Sequence, residues 1–212
     1  AVLIVVDNPK KWPLHFENCE LVSAKNYLTL ASFSDLKKVN LYNLCRSYRY
    51  QNTGYYVSLL ASARNHKALP SLETIQDMKS LSIARLMAED LDVLIQQSLK
   101  PLQSEQFTLS IYFGKNMAKR YEKLCKRLFN LFPCPFLRAD FRKSKNEWSM
   151  HHIRPISIHD IQTDHYDFVR EAGQTFFSKL NHRISKRKIP QYELAILVNP
   201  AEENPPSNEG AI

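Results

Sequence analysis

The residues best equipped for chemistry lie in the stretch NLCRSYRYQNTGYY, residues 43–56. Arg46 and Arg49 carry planar guanidinium forks that match phosphate or carboxylate. Tyr48 and Tyr50 can stack or hydrogen-bond, and Asn43 and Gln51 can orient a bound group. This points to the gripping of an anion and assigns no catalytic residue. An apolar strand pattern precedes the stretch and a helical pattern follows it. In an open α/β sheet ligands gather there, at the carboxyl end of a strand and against the free amides of a helix start. The competing reading pairs the arginines with acidic residues inside the domain and makes the tyrosines fillers of gaps. A weaker candidate is Gly114-Lys115-Asn116, which also falls between a strand pattern and a helix pattern. Asp7 and Asn8 end the first apolar run and would join the same rim, although Asp-Asn-Pro equally makes a turn.

Other chemistries lack their residues. The chain has four glycines and contains neither a P-loop nor a GxGxxG phosphate loop. It has no nucleophile elbow and no HExxH. His151 and His152 are neighbours on an expected strand, so they point to opposite faces and cannot jointly clasp a metal. No metal site is assigned. His66 is expected at a helix end, where the dipole favours it. Cys19, Cys45, Cys125 and Cys134 form no CxxC pair and read as free thiols of a reducing cytoplasm. No apolar run approaches the ~20 residues of a membrane span, and AVLIVVD lacks the basic leader and the length of a signal peptide.

The elements that must position these residues follow from periodicity. Residues 2–6 form an apolar, β-branched run closed by Asp7-Asn8-Pro9, the pattern of a buried strand and a turn. Further strands are expected at 20–24 and 38–45. From Tyr55 the spacing turns helical, with Tyr56, Leu59, Leu60 and Ala63 on one face. Asn65 stands where a helix ends in a left-handed residue. Residues 68–70 re-enter the sheet and complete a strand–helix–strand crossover. Thr74 and Asp77 have capping-box spacing, and Ser80 opens a longer helix with Ala84, Met87, Leu91, Leu94 and Ile95 on one side. FTLSIYF, residues 107–113, alternates as a one-sided strand. The next helix buries Met117, Tyr121, Leu124, Cys125, Leu128 and Phe132. Its other face shows Lys119, Arg120, Lys123, Lys126 and Arg127, a solvated basic face by default. Strands at 136–141 and 148–158 flank the charged loop RKSKNE, and one more helix fits between Asp160 and Leu180. The expected class is α/β, a mixed sheet with flanking helices, with parallel crossover units early and an antiparallel hairpin later.

The net charge of +8 draws attention to nucleic acid, but residues 181–192 hold half of it, in Arg183, Lys186, Arg187 and Lys188. Charge gathered before a proline reads as a linker, and contact with RNA or an acidic protein is the secondary reading. The expected division is one domain over 1–180, a basic linker over 181–192, and the truncated start of another unit over 193–212, opening with a buried-strand pattern. The chain is therefore expected to be the front of a longer protein.

VVDNPKKWPL, VSAKNYL, NLCRSYRYQNTGYYVSLL, TIQDMKS, SIYFGKNMAKRY and LFNLFPCPFL together resemble the RimK-like ATP-grasp N-terminal domain. LAILVNPAEENPPSN resembles the start of the RimK-like ATP-grasp portion that follows it. Two departures stand out: Asn65 where the family tends to have glycine, and Cys134 in place of a small apolar residue. The resemblance implies that the complete protein is an ATP-dependent carboxylate–amine ligase, which uses Mg²⁺ and ATP to form an acyl phosphate that an amine attacks. ATP and Mg²⁺ would belong to the ATP-grasp core, which these 212 residues lack, so no cofactor is expected here. The expected partners are the downstream ATP-grasp domain and a small carboxylate, amine or peptide substrate, with no membrane. The expected function is an accessory domain that presents or selects substrate. The alternatives are a basic module docking RNA or protein, and an independent enzyme using the Arg46 and Arg49 loop.

Overall fold

The computed structural model describes residues 1–184, with side chains to residue 179. Residues 185–212, which include most of the expected linker and the expected strand at 193–199, lie outside the described residues. Strands β1 (Val2–Val6), β2 (Glu20–Ser23), β3 (Asn40–Asn43) and β4 (Lys67–Leu69) form a parallel sheet in the order β2-β1-β3-β4. β1 is central, which is why its run is apolar without alternation. Helices α1 (Ala24–Thr29) and α2 (Thr53–Ala63) cover one face, where Leu3, Val5 and Leu41 meet Tyr27, Val57 and Ala61. Helices α3 (Leu72–Lys79), α4 (Leu81–Ala88) and α5 (Asp92–Leu99) follow, then β5 (Gln106–Tyr112) and α6 (Glu122–Leu131). β5, β6 (Phe136–Ser144) and β7 (Glu147–Pro155) make an antiparallel sheet. Leu109, Ile111, Leu137, Phe141 and Trp148 on its inner face share a core with Leu91, Ile95, Leu124 and Leu128 of the helical layer. The chain then enters α7 (Tyr166–Ile184).

The expected α/β class is what forms, with the parallel and antiparallel strands in two separate sheets. Phe176 and Phe177 of α7 meet Tyr42 of the first sheet and Phe113 beyond β5, so an aromatic cluster joins the two. Among the described residues no helix is long and apolar enough to cross a membrane.

Several local expectations need correction. α2 buries Gly54, Val57, Ser58 and Ala61, and turns Tyr56 and Leu59 outward. Ser58 turns inward because its Oγ bonds Asn43 and Pro70 O, and Gly54 because Ser47 O leaves no room there for a Cβ. The cap of α3 is Ser71, whose Oγ accepts from Thr74 N, so Thr74 is already inside the helix. Ser80 caps α4 as expected, but a 3-10 turn at Glu89–Leu91 divides the long helix in two. Met117 is exposed because α6 begins only after a 3-10 turn at Lys119–Tyr121. The loop RKSKNE shrinks to Lys145-Asn146, both at positive φ, and its other residues extend β6 and β7. Two left-handed residues match the twist of a tight hairpin.

Gly173 of α7 faces the aromatic cluster, where a Cβ would run into the Phe16 ring and lie 2.9 Å from Phe113 Cε2. Gly173→Ala is expected to cost about 1–3 kcal/mol in urea denaturation, overpacking outweighing alanine's helix propensity. A second prediction concerns the open face of the antiparallel sheet, where Asp140 accepts from Thr108 Oγ1 and is paired with Arg154. Burial alone would raise its carboxyl, but these partners and nearby His152 outweigh burial and hold it below the usual value. The ionised form therefore stabilises the fold above about pH 4 and that gain is lost as pH falls through the depressed value. Asp140→Asn should cost about 1 kcal/mol at neutral pH, with the gap to the parent closing in acid melts.

Candidate functional site

β1 and β3 end side by side, so Asp7 and Asn8 stand at the same sheet edge as the arginine loop. Leu44 N donates to Val5 O (2.8 Å), and Arg46 N donates to Asp7 Oδ2 (2.6 Å). Asn8 Oδ1 accepts from Lys10 N and caps the 3-10 turn Pro9–Lys11. That turn places exposed Lys10 and Lys11 just beyond Asp7 and Asn8.

Asn43 holds the loop from beneath. It is fully buried, and its Nδ2 donates to Gly54 O (2.7 Å) and Ser58 Oγ (2.9 Å). Its Oδ1 accepts from Cys45 N (3.3 Å), and its backbone oxygen accepts from Tyr48 OH (2.7 Å). Ser58 Oγ passes the connection on to Pro70 O (2.7 Å), beyond the end of β4. Burial pushes the Tyr48 phenol well above its ordinary value, so the hydroxyl stays a donor. The side chains of Asn43 and Tyr48 are thus spent on shaping the loop. Gly54 is required, since a Cβ there would sit 2.5 Å from Ser47 O. Cys45 is buried and its thiol is held protonated by desolvation, which disqualifies it as a nucleophile.

What faces solvent is different in kind. Arg46, Arg49, Tyr50 and Gln51 are exposed, Tyr50 at 66%. Among the described residues neither guanidinium makes an ion pair, and the carboxylates that do are Asp140 and Asp167. The bonds from Arg46 and Arg49 to Asp7 and Ser47 are made by backbone N–H. Gln51 takes φ +68° at the turn, and Asn52 gives its side chain to Ser47 Oγ, leaving the N-terminus of α2 without a side-chain cap. Tyr50 meets Tyr55 edge-on at 5.4 Å, and Lys79 Nζ lies 5.2 Å over the Tyr55 ring. Both exposed guanidiniums are available to a negative group, as are the first amides of α2, which no side chain caps.

Lys115 and Asn116 form a reversal of their own. Tyr112 and Lys115 exchange backbone hydrogen bonds of 2.8 and 2.9 Å. Asn116 donates to Ser110 O and accepts from Ala118 N, which occupies its side chain. Among the described residues no hydrogen bond or ion pair joins this reversal to the arginine loop. His66 is a buried strut, with Nδ1 at 2.9 Å from Tyr27 OH and Nε2 at 3.1 Å from Leu36 O. Sequence reasoning missed Ser58 and Ser47, although a serine at a buried helix position is itself a signal of a polar partner.

A family model, RimK-like ATPgrasp N-terminal domain, matches residues 24–172. The chain belongs to this family. No curated protein matches it. A solved structure of D-alanine–D-alanine ligase from Bacillus anthracis complexed with ATP is similar over 88% of this chain and 99% of that one. The identity is 11% and the TM-score 0.48. The RimK-like N-terminal domain described here does not gather its acidic residues at one place. Its engaged carboxylates are scattered, Asp7 on Arg46 N, Asp140 on Arg154 and Asp160 on Ser157. No group of three or more His, Cys, Asp or Glu among the described residues is placed to hold a metal ion.

Asn43→Ala should strand the Cys45 amide in the interior and take a donor from Gly54 O and from Ser58 Oγ. A loss of about 2–4 kcal/mol is expected in chemical denaturation, together with faster hydrogen exchange at residues 45–54. Tyr48→Phe, which removes one hydrogen bond, should cost about 1–2 kcal/mol.

Proposed function

We propose that this chain is the accessory domain of an ATP-dependent RimK-like carboxylate–amine ligase, and that it presents or selects the anionic substrate. The single observation that carries this reading is the pair of exposed guanidiniums, Arg46 and Arg49, without a carboxylate partner among the described residues. Exposed arginines on an otherwise anchored loop are preorganised to take a carboxylate or phosphate, because little loop entropy is left to lose. Lys10 and Lys11 on the neighbouring turn add to the same field. The acyl-phosphate chemistry, with its ATP and Mg²⁺, belongs to the downstream ATP-grasp portion. The residues of this domain bind and orient, and the amide or peptide bond would form in the other part. The four free thiols accord with a reducing, cytoplasmic setting.

Thermal melts with and without glutamate or inorganic phosphate test the reading. Arg46→Ala and Arg49→Ala should leave the ligand-free melting temperature nearly unchanged, since exposed substitutions move stability by about 0.5 kcal/mol or less. Each should weaken anion binding by about 1.5–3 kcal/mol, the scale of a charged hydrogen bond. Loss of stability without loss of ligand protection would assign the arginines to the fold instead. A micromolar Mg²⁺–ATP site in this chain, found by isothermal titration, would overturn the accessory role.

A further inference from the structure

Leu86 and Val93 are the most exposed large apolar side chains among the described residues, at 70% and 68%. They stand seven residues apart along α4 and α5. Val93, with Leu94, lines a groove of about 530 Å³ between α5 and α6. The α6 wall of this groove consists of Lys123, Lys126, Arg127 and Asn130. Their spacing of i, i+3, i+4 and i+7 places them on one stripe of the helix. Across the groove Asp90, Leu94 and Gln97 repeat nearly the same spacing. The α6 wall runs for about two helical turns, ~10 Å, and the facing wall runs from the 3-10 turn at Asp90 along α5 to Gln97. One wall is cationic and the other is apolar with one carboxylate at its end. None of the three cations forms an ion pair among the described residues.

We propose that this groove receives an acidic amphipathic helix of a partner protein. Its apolar edge would cover Val93 and Leu94, and its carboxylates would face Lys123, Lys126 and Arg127. The shape favours a helix, because a helix laid between two others meets both walls with its own i, i+3/i+4, i+7 stripe. An extended segment would send alternate side chains away from the groove. The charge favours an acidic partner, with three cations set against Asp90 alone. Nucleic acid fits less well, since no aromatic ring lines the groove to stack a base and phosphates would leave the apolar wall bare. An apolar patch rimmed by charge is the usual mark of a docking surface.

The probe is a labelled synthetic peptide of about 18 residues, long enough to sustain a helix, with leucine along one edge and glutamate along the next. Fluorescence anisotropy of its titration with the 212-residue chain should give saturable binding that weakens as NaCl rises. Lys126→Glu/Arg127→Glu should weaken it about tenfold or more, and Val93→Ser severalfold. All three side chains are exposed, so the variants should melt with the parent. Lys123→Gln gives a milder check, also with reduced affinity expected, should the charge reversal disturb the fold. Absence of saturable binding overturns the proposal, as does equal binding by the variants or by a peptide whose leucines are glutamines. A single-stranded oligonucleotide that binds through Lys126 and Arg127, indifferent to Val93→Ser, would overturn it in favour of nucleic acid.

Discussion

The buried carboxamide of Asn43 is the interaction on which the candidate site depends. At the end of β3 it bonds to the first turn of α2 through Gly54 O and to Ser58, which in turn reaches Pro70 after β4. One side chain thereby sets strand, helix and next strand at a fixed spacing. An amide so deep in the interior must have its donors and acceptor satisfied, and unmaking any of these bonds is costly. The consequences spread outward. α2 is drawn so close that only glycine fits at position 54, and Tyr48 is pinned beneath the loop by its bond to the Asn43 oxygen. With the loop held from below, Arg46 and Arg49 remain exposed and make no ion pair among the described residues.

The two sheets divide the labour. The parallel sheet is covered by α1 and α2 on one face, and aromatic side chains of α7 meet Tyr42 on the other. The antiparallel sheet has the helical layer on one face; on the other, Tyr112 and Phe136 are buried against Phe168 and Trp12 at one end, and Thr108, Asp140 and Arg154 form a bonded network. A β-bulge between Asp140 and Phe141 leaves His151 unpaired in the register and sets His152 opposite Asp140. That network satisfies its own charges, unlike the arginine loop. The proposed anion site rests on this difference between a cation with a partner and a cation without one.

Much of this was legible in sequence. The apolar run of β1, the alternation of β5 and the left-handed Asn65 (φ +56°) followed from side-chain chemistry alone. The loop's location at a strand end was equally readable. Its division of roles was not, because Asn43 and Tyr48 look like ligand groups until their burial is known. The buried face of α2 was misread for a related reason: periodicity finds the bulky stripe, whereas Gly54 and Ser58 are turned inward by what they meet there, Ser47 O and Asn43. Lys115 and Asn116 share the strand-then-helix grammar of the arginine loop, yet Asn116 spends its side chain on the reversal itself.

The central claim is that Arg46 and Arg49 form a receptive anion site on a rigid support. It is tested most directly by nuclear magnetic resonance of the arginine Nε–Hε groups and backbone amides during titration with glutamate and with inorganic phosphate. The account predicts saturable shifts of the Arg46 and Arg49 side chains and of the Thr53 and Gly54 amides, while Asn43 and Ser58 stay in place. Shifts spread over the many exposed lysines and arginines, with none that saturates at this loop, would contradict it.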